Sequence, residues 1–213
     1  MARRTKEDAL ITRDQILDAA ERVFLRRGVA RTALQEIADE AQLTRGAIYW
    51  HFQNKADVFD AMLQRVTLPM VTRLKTQPQA ETENPLHYLR EVMAQAFHLT
   101  VHNLQVRRVF EIASYRVEYG DELQALRDRH IAERADRMVD LTKLLELAQA
   151  KGQLPPQLHA HHAAVGLHAL LDGLLANWLL LPEAFDLEVV GLQALNAYLA
   201  GLDRSATDLL LKK

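Results

Sequence analysis

A short polar and aromatic run near the N-terminus carries the side chains best suited to binding nucleic acid. Residues 44–52 read TRGAIYWHF, and helical periodicity places Ile48 and Phe52 on the inward side of this run. An arginine at a helix N-terminus can reach guanine O6 and N7 in bidentate fashion, and backbone N–H groups there can bind phosphate. Large aromatic rings on the outer face of so short a helix would be a poor surface for a protein without a partner. The outward side chains therefore predict a DNA-reading surface: Thr44, Arg45, Gly46, Tyr49, Trp50 and His51.

Each outward residue type has a physical use at a DNA groove. Gly46 removes bulk, so the helix can sink into the major groove, while Tyr49 and His51 can donate to phosphate oxygens. Thr32 and Lys55 flank the run and could add further phosphate contacts. Spacing alone leaves another interpretation open, in which an ordinary helical hairpin packs its aromatic rings beneath a neighbouring helix.

Two short helices must position these side chains. Thr32 followed by Gln35 predicts a capping box that opens a helix extending to about Ala41, and Thr44 predicts the cap of a second helix ending near Phe52. The second helix is too short to be stable alone, so a first helix over residues 10–27, closed by Gly28, must hold it. The inward side chains of this helix-turn-helix are Ile37, Ala38, Ala41, Leu43, Ile48 and Phe52.

The remaining chain repeats the helical period with almost no strand-like alternation, which predicts an all-α protein of about nine helices. Asn54 should cap a longer helix that Pro69 bends or interrupts, and residues 76–85 should form a loop. Further helices are predicted at about 85–104, 105–119, 121–151, 159–181 and 187–202.

Composition excludes several classes of function. The 213 residues include no cysteine, which rules out disulfides, thiol nucleophiles and thiolate metal sites. The two serines, Ser114 and Ser205, lie in no nucleophile motif, and neither a phosphate-binding loop nor a dinucleotide fingerprint occurs. A charged N-terminus and the lack of a long uninterrupted apolar run argue against a secretory signal and a membrane span.

Charge is distributed unevenly along the chain. Residues 1–55 carry ten Lys and Arg against eight Asp and Glu, whereas residues 56–213 carry sixteen against twenty. A mildly basic head on an acidic body suits a protein that presents one end to phosphate. Two rivals, a helical enzyme and a protein-interaction module, remain as alternatives, and DNA binding that falls steeply with salt would separate them from this interpretation.

The segment 32–55, TALQEIADEAQLTRGAIYWHFQNK, resembles the DNA-binding domain of the TetR family of transcriptional repressors, especially its AcrR-like multidrug-efflux branch. The likeness extends loosely over residues 3–66 and includes the opening Arg3-Arg4-Thr5-Lys6. Two stretches of the body, 107–112 (RRVFEI) and 172–182 (DGLLANWLLLP), also resemble that branch. One position departs from the pattern, because Gln42 stands where the family usually has glycine; a left-handed non-glycine there costs about 1 kcal/mol.

The resemblance implies a domain division and a mechanism. Residues 1–55 would form the helix-turn-helix DNA-binding domain and residues 56–213 a ligand-binding and dimerisation domain, joined through a connecting helix over residues 54–68. The protein would be a cytoplasmic homodimer that represses a multidrug efflux pump from a palindromic operator and is released by small hydrophobic compounds. A regulator of a metabolic operon that senses a metabolite is the alternative.

The last two predicted helices are apolar nearly all round, which means burial on more than one side. Dimer interface and protomer core look alike in a sequence, and the family resemblance favours the interface. The residues predicted to form it are Leu170, Leu174, Trp178, Leu181, Leu192, Leu195 and Leu199.

An apolar lining with sparse polar groups is what a ligand pocket requires. His168 and Asp172, one helical turn apart, should form a pair or serve as polar anchors in such a pocket. We expect His159, His161 and His162 to be exposed at a helix start rather than to hold a metal, and no cofactor is expected. The predicted pocket residues are Met93, Phe97, Phe110, Ser114, Met138, Leu141, His168, Leu171 and Asp172.

Overall fold

The computed structural model describes residues 6–76, 83–120 and 123–203. Within these ranges the chain forms nine helices and no strand, which confirms the predicted all-α class. The helices are α1 (Lys6–Arg27), α2 (Leu34–Glu40), α3 (Arg45–His51), α4 (Lys55–Thr76), α5 (Pro85–His102), α6 (Leu104–Tyr115), α7 (Gln124–Ala150), α8 (Ala160–Leu180) and α9 (Leu187–Asp203).

Two sequence expectations concern the region around α4. The helix runs without a break through Pro69, so Pro69 does not interrupt it, and the predicted bend there stays a prediction. An interior proline removes one backbone hydrogen bond, and the helix continues on both sides of it. α4 ends at Thr76 and α5 begins at Pro85, and most of the loop predicted between them, residues 77–82, lies outside the described residues. The segment Arg3-Arg4-Thr5 also lies outside them.

The chain groups into two compact units that are not contiguous in sequence. Unit 1 comprises residues 1–68 and 105–130, and unit 2 comprises residues 69–104 and 131–213. Unit 1 thus extends beyond the division expected at residue 55. Residues 105–130 belong to it because the Val29 N–H donates to the Arg116 carbonyl over 2.8 Å, and Arg108 pairs with the buried Glu21 at 3.2 Å.

The core of unit 1 forms around one face of α1. The apolar side chains of this face include Ile16, Leu17 and Phe24, which are fully buried. α2 packs on α1, and α3 packs on α2. Phe24 meets Phe59 of α4 at a ring-centroid separation of 6.3 Å. The two short helices are therefore held by a core that they could not build alone.

Unit 2 is organised around α9, which packs against both α5 and α8. The Tyr198 hydroxyl donates to the Ala163 carbonyl over 2.8 Å and ties α9 to α8. Among the described residues, α8 is long and apolar enough to cross a membrane, by length and composition only. A helix in the core of a soluble protein can have the same length and composition.

Candidate nucleic-acid interface

The turn between α2 and α3 aims the recognition surface. The Gln42 N–H donates to the Asp39 carbonyl over 3.0 Å and the Leu43 N–H to the Ala38 carbonyl over 2.9 Å, which is the Schellman pattern of a helix C-terminus. Gln42 has a φ of 56°, so the left-handed position expected from the sequence is present without glycine. This turn sends the chain directly into α3.

α3 is capped and anchored as the sequence predicts. The Thr44 Oγ1 accepts from the Ala47 N–H over 3.2 Å. Ile48 is fully buried and Phe52 nearly so, which fixes the inward face of the helix. The guanidinium of Arg13, on α1, lies 5.4 Å from the centre of the Phe52 ring. The sequence does not reveal the contact between Arg13 and Phe52, because Arg13 lies far from the motif along the chain.

The outward face of α3 presents aromatic and cationic side chains together. Trp50 is 69% exposed and Tyr49 47% exposed. The Arg45 guanidinium lies 5.4 Å from the centre of the Tyr49 ring, close enough for a cation–π contact that orients both side chains. A Cβ added at Gly46 would meet only Thr44 Oγ1, at 4.0 Å, so packing within the protein does not require a glycine there. The structure therefore brings Thr44, Arg45, Gly46, Tyr49 and Trp50 together on one exposed surface.

His51 is placed differently from these five. It is half-buried, with its ring 4.5 Å from that of Trp50 and nearly perpendicular to it. Its ring supports the indole from the side and is less accessible than the sequence pattern suggests.

Thr32 does not lie where the sequence placed it. It is 2% exposed, and its hydroxyl donates to the Gly28 carbonyl over 2.7 Å, so the expected phosphate contact is corrected to a structural one. The predicted Thr32–Gln35 capping box is also wrong. The cap residue is Ala33, whose N–H donates to the Glu36 carboxylate over 2.9 Å, while the Gln35 amide donates to Asp39. A carboxylate is the stronger acceptor for an N–H at a helix start.

Lys55 begins α4 beside the recognition helix and has a second partner. Its ammonium donates to the Ala30 carbonyl, which anchors the loop after α1. Asn54 caps the helix as predicted, since its side-chain oxygen accepts from the Asp57 N–H over 2.9 Å. The Asp57 carboxylate in turn accepts from the Gln53 N–H over 3.2 Å. Lys55 remains half-exposed, so its charge stays near the surface.

Several cations of α1 are engaged within the protein. Glu40, at the end of α2, accepts from Arg22 at 2.7 Å and from Arg26 at 2.5 Å. The hydrogen bonds from Arg26 and then Arg22 hold the pKa of the Glu40 carboxyl below its ordinary value. Arg27 pairs with Glu36. These pairs tie α2 to α1. The recognition helix α3 carries its own cation, Arg45, in its first turn.

The predicted pocket residues are divided between the two units. Ser114, exposed, and Phe110, half-buried, belong to unit 1. Within unit 2, Phe97 is 1% exposed and Leu171 8% exposed, whereas Met93, Met138 and Leu141 are half-buried.

The expected pairing of His168 with Asp172 is present, with 3.1 Å between His168 Nε2 and Asp172 Oδ2. Burial lowers the pKa of the imidazole against the opposing effect of the Asp172 charge, and Arg134 and Arg137 lower it further. The Asp172 side chain is 59% exposed, so its carboxylate is not buried within one chain. At this position α8 turns its face outward.

An open groove of about 660 Å³ lies between α7 and α8 in unit 2. Met138 is the one predicted pocket residue that lines it. His161 and Val165 contribute from α8, and Arg134, Lys143 and Glu146 place charges at its edge. His159, His161 and His162 lie exposed at the start of α8, where the rings of His159 and His162 stack at 3.6 Å.

The predicted dimer residues also separate into two groups. Leu195 is 0% exposed and Trp178 4% exposed, so both belong to the core of the protomer and their assignment to the interface is corrected. Their helices are buried on the inner side by α5 and by each other, which helical spacing alone does not reveal. Leu181 is 55% exposed, and the others are half-buried: Leu170, Leu174, Leu192 and Leu199.

Comparison with known proteins assigns both parts of the chain. Residues 16–62 match the family described as bacterial regulatory proteins, tetR family, and residues 84–203 match the C-terminal region of MAATS-type transcriptional repressors. The transcriptional regulator TtgR of Pseudomonas putida is 41% identical over 187 residues, which cover 88% of this chain and 89% of TtgR.

Solved structures agree with these matches. NalD, the secondary repressor of the MexAB-OprM multidrug efflux pump in Pseudomonas aeruginosa, superposes with a TM-score of 0.83 at 34% identity, covering 94% of this chain and all of NalD. The SmeT–triclosan complex gives a TM-score of 0.83 at 35% identity, covering 92% of this chain and 93% of SmeT, the repressor of the Stenotrophomonas maltophilia pump SmeDEF. The resemblance seen in the recognition motif thus holds over nearly the whole chain. The protein therefore belongs to the TetR family of bacterial transcriptional regulators, and it is a DNA-binding regulator, not an enzyme.

Proposed function

We propose that this protein is a homodimeric repressor that binds a two-fold symmetric operator through α3 and controls a multidrug efflux pump. A small hydrophobic or aromatic compound would release it. The observation that carries the DNA-binding part is the outward face of α3, where Arg45 and two exposed aromatic rings share a surface that packing within unit 1 leaves uncovered.

This face suits a major groove in its chemistry. The Arg45 guanidinium lies in the first turn of α3 and can form two parallel hydrogen bonds with guanine. The Tyr49 ring supports it on one side, which lowers the entropy lost when the side chain is ordered on DNA. Thr44 and Lys55 would position the helix on the phosphate backbone, and Gly46 allows a close approach.

A dimer through α8 and α9 would supply the second recognition helix. The exposed aliphatic side chains of these helices have no covering element in the described part of one chain, and a second copy would cover them. A symmetric operator requires the same arrangement, because two half-sites need two heads related by a two-fold axis. The exposed members are Val165, Leu180, Leu181 and Val189, with Leu170, Leu174, Leu192 and Leu199 half-buried beside them.

Ligand binding is proposed for unit 2. Seven of the predicted pocket residues lie there, and they include the apolar, buried Phe97 and Leu171 and the polar, half-buried His168. NalD is named as the repressor of a multidrug efflux pump, and SmeT was solved with triclosan, which favours an aromatic compound over a polar metabolite. Phe110 and Ser114 of unit 1 stay predictions. A regulator that senses a metabolite remains the second candidate.

The cytoplasm is the proposed location, since an operator-binding regulator meets its DNA there. The apolar character of α8 then reflects its inner packing and its proposed contact with a second copy rather than a membrane.

In vitro selection from a random duplex library tests the DNA part. We expect an inverted repeat, bound with an affinity that falls steeply with salt. Arg45→Ala should cost about 1–3 kcal/mol of binding free energy and relax one base position in each half-site. Arg31→Ala is the matched control, because Arg31 is an exposed cation of unit 1 already paired with Glu118 at 3.3 Å. Selection of no common sequence, or an Arg45 variant that binds like the control, would overturn the assignment.

Calorimetry with triclosan, paired with operator-release assays, tests the ligand part. We expect binding to the dimer and release of the selected operator. His168→Ala and Leu171→Ala should weaken binding, whereas an exposed change in the turn after α7, Lys151→Ala, should not. If a panel of lipophilic drugs, dyes and phenolics neither binds nor releases DNA, the metabolite-sensing alternative replaces the efflux assignment.

A further inference from the structure

Two histidines on α5 converge on one carboxylate at the start of α9. His98 Nδ1 lies 2.9 Å from Glu188 Oε1, and His102 Nε2 lies 2.9 Å from Glu188 Oε2. One helical turn separates the histidines, and their rings lie 4.4 Å apart. The three donor atoms all lie within 4.8 Å of one another. Two imidazole nitrogens and one carboxylate group thus come together within unit 2.

Close packing beneath the cluster fixes the register of the two helices. Phe97, next to His98, is 1% exposed, and a Cβ added at Gly191 would lie 2.6 Å from its ring. Because Gly191 follows Glu188 by about one turn, α5 and α9 cannot slide past each other without losing this contact. The start of α9 is also fixed, since the Asp186 carboxylate accepts from the Val189 N–H over 3.0 Å. Ligand positions carried by rigid helices are the ones that bind metals with little reorganisation.

The separations are close to those that a metal requires. Tetrahedral zinc holds imidazole nitrogen and carboxylate oxygen at about 2.0–2.2 Å, which places neighbouring ligand atoms about 3.4 Å apart. Small side-chain rotations would bring the three donors to these distances. The three side chains are between about one third and three fifths exposed, so an ion can enter and water can complete its coordination.

We propose that His98, His102 and Glu188 form a binding site for a divalent transition-metal ion of the zinc class, with water as the fourth ligand. Imidazole selects this class over magnesium and calcium, which prefer oxygen ligands throughout. Neutral imidazoles and an ionised carboxylate are the forms that bind a metal.

A metal at this point would link α5 to α9 and stabilise the fold of unit 2. The ion binds the folded arrangement of three residues from two helices, so its binding free energy adds to folding. This proposal does not depend on the operator or on the drug ligand, and it can be tested on the purified full chain.

Equilibrium dialysis of the metal-free protein against zinc chloride, with metal analysis, measures the site directly. We expect one zinc ion per chain bound at this cluster, and a rise in Tm of about 5–10 °C when zinc exceeds its Kd a hundredfold. Cobalt should give the intense visible absorption of a four-coordinate ion, and magnesium should have no effect on Tm. His98→Ala, His102→Ala and Glu188→Gln should each raise the zinc Kd at least about a hundredfold and abolish the Tm increase.

His162→Ala is the matched control, because His162 is an exposed helical histidine that stacks on another imidazole outside this cluster. It should keep the zinc stoichiometry and the Tm increase. If the wild-type chain binds no zinc while Glu188→Gln lowers its Tm, the cluster is only a hydrogen-bonded link between helices and the proposal is wrong. Zinc binding that survives the His98 and His102 variants but is lost in the His162 variant would also overturn it.

Discussion

Helices α3 and α8 both carry faces that the described part of their own chain leaves uncovered, but the two faces differ in chemistry. α3 presents Tyr49, Trp50 and Arg45, whose polar edges can donate hydrogen bonds. α8 presents Val165 and Leu180, which offer only apolar area. Bases and phosphates can form hydrogen bonds with the first kind of surface. The second kind is stabilised when another apolar protein surface covers it. An uncovered helix face therefore indicates its partner through the type of side chain it exposes as much as through its area.

The largest expected effect is a loss of stability on shortening a core leucine of the C-terminal helices, compared with a leucine on their uncovered face. Leu195 is 0% exposed, so Leu195→Ala should lower the free energy of unfolding by about 2–5 kcal/mol through the cavity it leaves. Leu180, 69% exposed, is the comparison, and Leu180→Ala leaves no cavity within the protomer, so it should lower the free energy of unfolding by less than Leu195→Ala and only through weaker association. Denaturant unfolding at fixed protein concentration measures both, and equal stabilities would contradict the core assignment.

A charge on the uncovered face of α8 should act on association instead. Leu180→Glu should leave the helical content intact and raise the dimer dissociation constant about tenfold or more, equivalent to about 1.4 kcal/mol. Sedimentation over a concentration series measures this. Leu10→Glu, on an exposed residue of α1 (56% exposed), is the matched control. If both variants associate like the wild type, the dimer forms through another surface.

Substitution of Lys55 tests whether this residue contributes both to the stability of the fold and to DNA binding. Lys55→Ala should lower stability by about 1–3 kcal/mol because the Ala30 carbonyl loses its charged donor. It should also reduce the slope of log affinity against log salt by about one, equally for all sequences. Lys55→Arg keeps the charge and should keep the slope. A stability loss with an unchanged slope would assign Lys55 to the fold alone.

A smaller effect is expected at the turn that aims α3. Gln42→Gly should raise stability by about 0.5–1 kcal/mol, because glycine adopts the observed φ of 56° without a Cβ penalty while losing more chain entropy on folding. Thermal unfolding detects this, with Gln53→Gly as a control at an exposed residue of ordinary φ. Destabilisation at Gln42 would show that its side chain contributes more than its backbone costs.

The smallest effect concerns the pairs that tie α2 to α1. The pKa of Glu40 is lowered from its ordinary 4.5, so the folded state holds fewer protons there than the unfolded chain. Its contribution is therefore fully present above about pH 4.5 and is lost as the pH falls through the folded pKa. The difference in Tm between wild type and Glu40→Gln should shrink from about pH 7 to about pH 3.5. A constant difference would contradict the pairing.

Local patterns predicted most of the helices and the head. Gly28 predicted the end of α1 and Thr44 the start of α3, the predicted bounds of α5 lie within a few residues of the observed ones, and the motif placed Arg45 and Trp50 on one face. The errors have a local cause as well. Thr32 and Glu36 both offer an acceptor at the start of α2, and the pattern could not show that the Thr32 hydroxyl donates to the Gly28 carbonyl instead.

The body was less predictable because its contacts join distant segments. The spacing of leucines along a helix does not show whether the same chain or a second copy covers them. The sequence therefore predicts Leu195 at the interface, although it is fully buried within the protomer. The spacing of His98 and His102 is visible in the sequence, but Glu188 joins them only through the packing of α5 on α9. The sequence expectation of no metal rested on the histidines at the start of α8 and did not include this cluster.

The two tryptophans of this chain lie in opposite environments, which gives the protein two built-in fluorophores. Trp50 is 69% exposed on α3 and should emit at the long wavelengths of a hydrated indole, whereas Trp178, 4% exposed on α8, should emit at shorter wavelengths. Quenching by iodide would select Trp50, and docking of DNA would shield it. Replacing either indole with phenylalanine would leave a single emitter. The unlabelled protein could thus report operator binding and loss of its core packing as two separate optical signals.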